Sequence, residues 1–177
     1  MEPTRLLDWD HAGLALAHAA RAPWLDSLFA AVTWLGSLAV LLPLALLVWW
    51  RRRGDRSAAF VVLALIGASA LGHLVKLIVG RPRPDLYPPL IPMPDDASFP
   101  SAHAMQVTAF ALAWLLRPGA SPGRLEIAVL LAAAVLVFAS RLYLQVHFPS
   151  DVIAGAMLAI LWVLLLRRLP AWREHKQ

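Results

Sequence analysis

Residues 27–50 read SLFAAVTWLGSLAVLLPLALLVWW, a run of 24 residues without a charge that closes on Trp49 and Trp50. A helix of about 20 mostly apolar residues crosses a hydrocarbon core of about 30 Å, and a tryptophan pair at its end suits the water interface. This stretch therefore predicts a transmembrane helix. Residues 57–75 are uncharged up to Lys76, and residues 97–116 are uncharged apart from His103. Two further runs, 127–140 and 152–166, hold only 14 and 15 uncharged residues, and at about 1.5 Å per residue each reaches only about 21–23 Å. To span, the fourth helix must run past Arg141. The fifth must take in Asp151 near its start and let Arg167 and Arg168 snorkel at its end. Ionisable groups at membrane depth are costly and tend to be functional, so Arg141 and Asp151 become candidate site residues. The expected fold class is all-α: a polytopic transmembrane bundle of about five spanning helices.

Composition agrees. Of 177 residues, 60% are hydrophobic and 15% charged, against about 45–50% and about 25% in soluble domains. A net charge of +5 raises the possibility of nucleic-acid binding, but that needs a basic face on a soluble domain. No nucleic-acid partner is expected. With no cysteine, disulfides, thiolate zinc sites and thiol catalysis are excluded. Five crossings divide the charge into two sides. One side collects ten basic residues, among them Arg51, Arg52, Arg53, Arg56, Arg167 and Arg168, against three acidic ones, a balance of +7. The other has six against eight, or −2. The positive-inside rule makes the +7 side and the C-terminus cytoplasmic. The expected location is the cell (inner) membrane, multi-pass, with the −2 side facing the periplasm or exterior.

In residues 1–26, Leu6, Leu7, Trp9, Leu14 and Leu16 alternate with Asp8, Asp10, His11 and His18, which predicts an amphipathic helix lying in the interface. No basic region precedes an apolar core there, so a signal peptide is not expected. The chain thus divides into an interfacial segment 1–26, a membrane domain 27–169 and a cytoplasmic tail 170–177. Residues 80–100 hold seven of the 14 prolines; proline fixes φ and lacks an N–H, so this connection should be stiff, extended and non-helical.

Polar residues gather where the outward ends of the last four spans should meet: His73, Lys76, Arg81 and Arg83, then Ser101, Ala102 and His103, then Ser140 and Arg141, then His147, Ser150 and Asp151. Arginine and lysine donors beside a helix N-terminus make an anion site, and guanidinium matches phosphate oxygens as a fork. Pro100-Ser101 marks a helix start, with Ser101 as its N-cap and the N–H groups of Ala102 and His103 open to an oxyanion. Two histidines beside bound phosphate point to a nucleophile and a general acid.

Lys76-x6-Arg83-Pro84, Pro100-Ser101-Ala102-His103 and Ser140-Arg141-x5-His147-x3-Asp151 resemble, in order and spacing, the three-part signature of the type-2 phosphatidic acid phosphatase family, which shares its site with vanadium haloperoxidases. Ala102 stands where glycine is commoner, a difference that matters only if φ there is positive. The resemblance implies that His147 attacks phosphorus and forms a phosphohistidine while Asp151 holds its ring. It implies that His103 protonates the leaving oxygen and then activates water. Lys76, Arg83 and Arg141 would neutralise the phosphoryl oxygens, helped by Ser101, Ala102 and Ser140. Three cations then take the place often filled by magnesium, so no metal and no cofactor are expected.

The implied activity is that of a lipid phosphatase whose partners are a membrane lipid phosphate and the bilayer, with no obligate protein partner. Undecaprenyl diphosphate is the favoured substrate, because an outward site suits recycling of a carrier lipid. Phosphatidylglycerophosphate, phosphatidic acid and lipid A phosphates are the alternatives. A non-catalytic lipid-binding or transport protein and a vanadate-dependent haloperoxidase are the competing classes. Other polar residues have plainer expectations. His73 should be a buried, hydrogen-bonded histidine. Ser150 should cap the last span, and Tyr143 and Trp114 should pack or sit at the interface. Arg81 is either a headgroup contact or a ligand. Asp85, Asp95 and Asp96 should be solvated loop charges, although Asp95 and Asp96 beside cations could repel unwanted anions.

Overall fold

Proline and serine divide the chain into helices. The computed structural model describes residues 3–172, and these contain seven α-helices and no strand. They are α1 (Pro3–Ala19), α2 (Pro23–Val32), α3 (Leu38–Arg51), α4 (Arg56–Val79), α5 (Ala102–Leu116), α6 (Arg124–Tyr143) and α7 (Pro149–Arg168). Pro23 and Pro149 occupy first turns, where a missing N–H costs nothing. Gly80 closes α4 in the left-handed region at φ +58° and turns the chain into the proline-rich connection, which is non-helical as expected.

The uncharged run 27–50 is not one straight helix. A 3-10 turn, Thr33–Gly36, follows α2, and the pair Pro23–Gly36 and Leu38–Arg51 is bent by 47°. The break falls at Ser37, whose hydroxyl accepts from the Ala39 N–H at 3.2 Å and starts a new helix. Likewise residues 97–101 do not join the third run. Proline and serine delay the helix to Ala102, leaving α5 with 15 residues, about 22 Å. By length and composition α4, α6 and α7 can cross a membrane, and the bent pair makes up to four. The bundle is thus an all-helical one with three or four candidate spans rather than five evident ones. As the length argument required, α6 runs past Arg141 to Tyr143, and α7 takes in Asp151 and ends at Arg168.

Helix α5 lies centrally, packed against α4, α6 and α7. Lipid is as apolar as leucine, so packing rather than water exclusion holds such helices together, and small residues let them approach. Ala64 and Ala68 on α4, Ala104, Ala109 and Ala113 on α5, and Gly155 and Ala159 on α7 are all buried. At Gly155 a β-carbon would come within 2.7 Å of the Ser101 carbonyl oxygen, so only glycine lets the start of α7 lie against the start of α5. That contact sets Asp151 beside Ser101, whose N–H donates to the Asp151 carbonyl at 3.0 Å.

Helix α1 packs on α6 and α7. Leu14 and Asp10 are fully buried, so Asp10 is not one of the solvent-facing polar residues of an interfacial helix. The Tyr143 hydroxyl donates to Asp26 Oδ1 at 2.6 Å and accepts from the Ala22 N–H at 2.9 Å, tying the start of α2 to the end of α6. Residues 173–177 of the expected cytoplasmic tail lie outside the described residues.

Candidate active site

Antiparallel packing brings the end of α4, the start of α5, the end of α6 and the start of α7 to one end of the bundle. His147 lies in the short turn between α6 and α7 and is 1% exposed. Its Nδ1 is 3.5 Å from Asp151 Oδ2 and 3.4 Å from Ser98 Oγ. Its Nε2 faces the other way, 3.2 Å from an Arg83 guanidinium nitrogen. Burial lowers the His147 pKa, against the pull of Asp151, so the imidazole is neutral. With the proton on Nδ1 facing the carboxylate, the Nε2 lone pair points at the cations.

Asp151 is fully buried and fully satisfied. Its Oδ2 accepts from Ser98 Oγ at 2.5 Å and from the Phe148 N–H at 3.0 Å, and its Oδ1 accepts from Arg81 at 2.7 Å. Ser98 carried no sequence signal and is a missed member of the site. Arg81 is engaged by Asp10 and Asp151, and Phe148 packs under its guanidinium at 4.0 Å.

Arg83 faces Nε2, Arg141 lies close enough to act on the ring, and Lys76 shares Asp96 with Arg83. Arg83 reaches the Val146 carbonyl at 2.7 Å as well as His147. Lys76 is buried on α4, and its ammonium donates to the Ala97 carbonyl. Arg141 is 2% exposed; one terminal nitrogen donates to Thr33 Oγ1 at 2.5 Å, and its Nε has no partner among the described residues. Thr33, in the break of the first apolar run, is another residue sequence reasoning passed over. His103, in the first turn of α5, lines one cavity with Arg141. Ser101 stands at the N-cap position, yet its buried hydroxyl makes no cap bond and has no partner among the described residues. Ala102 lies in α5 without positive φ, so alanine in place of glycine introduces no backbone strain.

The Ser140 hydroxyl is buried and donates to the Val137 carbonyl at 2.6 Å. Ser150 is not the N-cap of α7. That position is Phe148, and the Ser150 N–H is bound instead by Asp10 Oδ1 at 2.9 Å. His73 is exposed rather than buried, because Gly72 faces Met105 and takes the inner position. Asp85 and Asp95 are exposed, as expected of loop charges.

Asp96 behaves differently. One carboxylate oxygen is 3.1 Å from Lys76 Nζ and the other 2.5 Å from Arg83. Burial opposes its ionisation, but hydrogen bonds from Arg83 and Lys76 hold its pKa below the usual carboxylate value. The carboxylate spans the two cations as a phosphate group would. Substituting Asp96→Asn should therefore lower both KM and the inhibition constant of inorganic phosphate by roughly five-fold, the scale of a half-exposed ion pair. Unchanged values for both in steady-state assays would contradict this.

The geometry is one of phosphate chemistry: a neutral imidazole aimed into three cations, backed by a buried carboxylate, with a second histidine close by. Comparison with known proteins agrees, for the model of the PAP2 superfamily matches residues 57–175. The chain belongs to the PAP2 superfamily. Phosphatidylglycerophosphatase B of Bacillus subtilis (strain 168) is 31% identical over 89% of this chain and 81% of its own length. An undecaprenyl-diphosphatase of Sulfolobus acidocaldarius is 36% identical over 67% of this chain and 58% of its own. The crystal structure of a transmembrane PAP2-type phosphatidylglycerolphosphate phosphatase from Bacillus subtilis superposes with a TM-score of 0.85 at 26% identity, covering 99% of this chain and 91% of that one. Like these PAP2 relatives the chain is a multi-pass membrane phosphatase, a phosphoric-ester hydrolase. Two of its residues that bind Arg141 and Arg81, Thr33 and Asp10, precede the matched region.

Proposed function

We propose that this PAP2 protein is a metal-independent lipid phosphatase that works through a phosphohistidine. His147 Nε2 forms a bond to phosphorus as the bond to the leaving oxygen breaks, and His103 gives that oxygen a proton. His103 then takes a proton from water, the water oxygen attacks phosphorus, the N–P bond breaks, and phosphate leaves. Lys76, Arg83 and Arg141 neutralise the phosphoryl oxygens, with Ser101 and the Ala102 N–H as further donors. Positioning and charge stabilisation are what phosphoryl transfer mainly requires. The orientation of His147, with Nδ1 against buried Asp151 and Nε2 against Arg83, carries this reading.

Undecaprenyl diphosphate is the substrate we favour. A cavity of about 360 Å³, lined largely by apolar groups of Ala30, Trp34 and Ile91, meets His103 and Arg141. It suits the first isoprene units of a polyprenyl chain, with the diphosphate drawn to the cations and the rest of the chain in the bilayer. The charge asymmetry supports an outward-facing site and a cytoplasmic C-terminus. The Bacillus subtilis relative, which covers most of the chain, favours phosphatidylglycerophosphate as the second reading.

The test is phosphate release by detergent-purified protein from undecaprenyl diphosphate, phosphatidylglycerophosphate, phosphatidic acid and a lipid A phosphate. The highest kcat/KM is expected for undecaprenyl diphosphate. A preference for a diacyl phospholipid would move the assignment to the second reading. No release over repeated turnovers from any of the four would leave a lipid-binding protein.

A further inference from the structure

The buried carboxylate behind His147 is itself held by a chain of charge that begins in α1. Asp10 Oδ2 accepts from Arg81 at 2.7 Å, and a second guanidinium nitrogen of Arg81 donates to Asp151 Oδ1 at 2.7 Å and to Ser150 Oγ at 2.7 Å. The Ser150 hydroxyl donates to Asp10 Oδ2 at 2.6 Å, and its N–H donates to Asp10 Oδ1 at 2.9 Å. Both carboxylates are fully buried. A carboxylate is rarely buried unless paired and hydrogen-bonded, and Asp10 is paired to a residue that itself touches Asp151.

Resting on the phosphatase reading above, we propose that Asp10 is a positioning residue of the reaction: through Arg81 and Ser150 it fixes Asp151 behind His147 and sets the charge that His147 meets. The charge argument is simple. Asp151 needs a cation, because neutral His147 does not supply one, and Arg81 is that cation. Arg81 alone would cancel Asp151 and leave nothing to stabilise the positive charge that grows on the imidazole as Nε2 attacks. Asp10 cancels Arg81. The three groups together carry −1, and the attacking ring faces that net negative charge across Asp151.

Nothing in this arrangement touches the phosphate, which belongs to Lys76, Arg83 and Arg141. Removing the charge at Asp10 should therefore act on turnover and spare binding. In Asp10→Asn, nearly identical in shape, kcat should fall about 10- to 100-fold, the scale of losing an outer partner that orients a functional side chain. KM and the inhibition constant of inorganic phosphate should stay within about two-fold, the pattern of an interaction realised only in the transition state.

A structural role for α1 is separated by Leu14→Ala, which loosens the same helix at another fully buried position. It should lower the melting temperature and leave kcat per folded enzyme unchanged. Ser150→Ala, which removes the hydroxyl link and keeps all charges, should lower kcat by a smaller factor with KM unchanged, and it reports on the relay if Asp10→Asn is not recovered folded. Wild-type release of phosphate is measured first, and its absence would remove the phosphatase reading. With wild type active, full turnover in folded Asp10→Asn or in Ser150→Ala would overturn the role of Asp10 alone. So would a loss in Asp10→Asn that Leu14→Ala reproduces per folded molecule.

Discussion

Replacing His147 with alanine is expected to lower kcat for phosphate release by about 10⁵-fold or more, the scale seen when the nucleophile of a covalent mechanism is removed. The substitution deletes the atom that bonds to phosphorus. It leaves Lys76, Arg83 and Arg141 in place, so the protein should still bind inorganic phosphate, and Arg83, relieved of its contact with Nε2 at 3.2 Å, should bind it no less tightly. Loss of turnover with retained binding is the signature sought. Phosphate binding by calorimetry and release from lipid substrate provide the two readings. Measurable activity within about 100-fold of wild type would contradict a nucleophilic role, because no other described side chain occupies the Nε2 position. Asp151 should then matter as a support: its carboxylate fixes the ring but forms no bond to phosphorus.

His103→Ala is the second large effect, an expected loss of about 10²- to 10⁴-fold, the range for a positioned acid or base. Its diagnostic feature is dependence on the leaving group. A lipid alcohol needs a proton as it departs, whereas 4-nitrophenolate does not. With 4-nitrophenyl phosphate the first step should therefore be largely restored in the variant. The second step also uses His103, to take a proton from water, so phosphorylated enzyme should accumulate and be visible as a mass increase of the intact protein. Equal losses for both leaving groups with no phosphorylated enzyme would assign His103 to packing.

Most residues of the candidate site were legible before the fold. Lys76, Arg83, His103, Arg141, His147 and Asp151 announce themselves because an ion or imidazole at the end of an apolar helix has few other uses, and the structure places them at one end of the bundle. The supports were not legible. Ser98, Thr33 and Asp10 meet their partners across 53, 108 and 71 residues, and no local pattern encodes such contacts. Asp10 did offer a clue: it lies one turn from Leu14, so a helix burying Leu14 brings Asp10 inward too. Asp96 was legible in part: it reads as a solvated loop charge or as a carboxylate beside cations, and its contacts with Lys76 and Arg83 are those of the second. The fold was read correctly in class and less well in its breaks. Hydropathy sees an uncharged run but not that Ser37 can capture an N–H and restart the helix. Nor does it see that Pro100 and Ser101 withhold five residues from α5.

That short helix has a mechanical consequence for the bilayer. At 15 residues α5 reaches about 22 Å across a hydrocarbon layer of about 30 Å, and His103 rides on its first turn. Were α5 to cross the bilayer beside α4, α6 and α7, a lipid phosphate at the headgroup plane would have to sink, or the surrounding leaflet to thin, before phosphorus came within reach of the imidazoles. Hydrophobic mismatch of this kind costs a fraction of a kcal/mol per Å, and in thicker membranes the cost falls on each encounter with substrate. In vesicles of phosphatidylcholines differing only in acyl length, kcat/KM should decline steadily from short chains to long while kcat changes little. Equal kcat/KM across the series would show that the bundle reaches its lipid without deforming the membrane. On this account the catalyst is also a thickness gauge, tuned by the length of one helix.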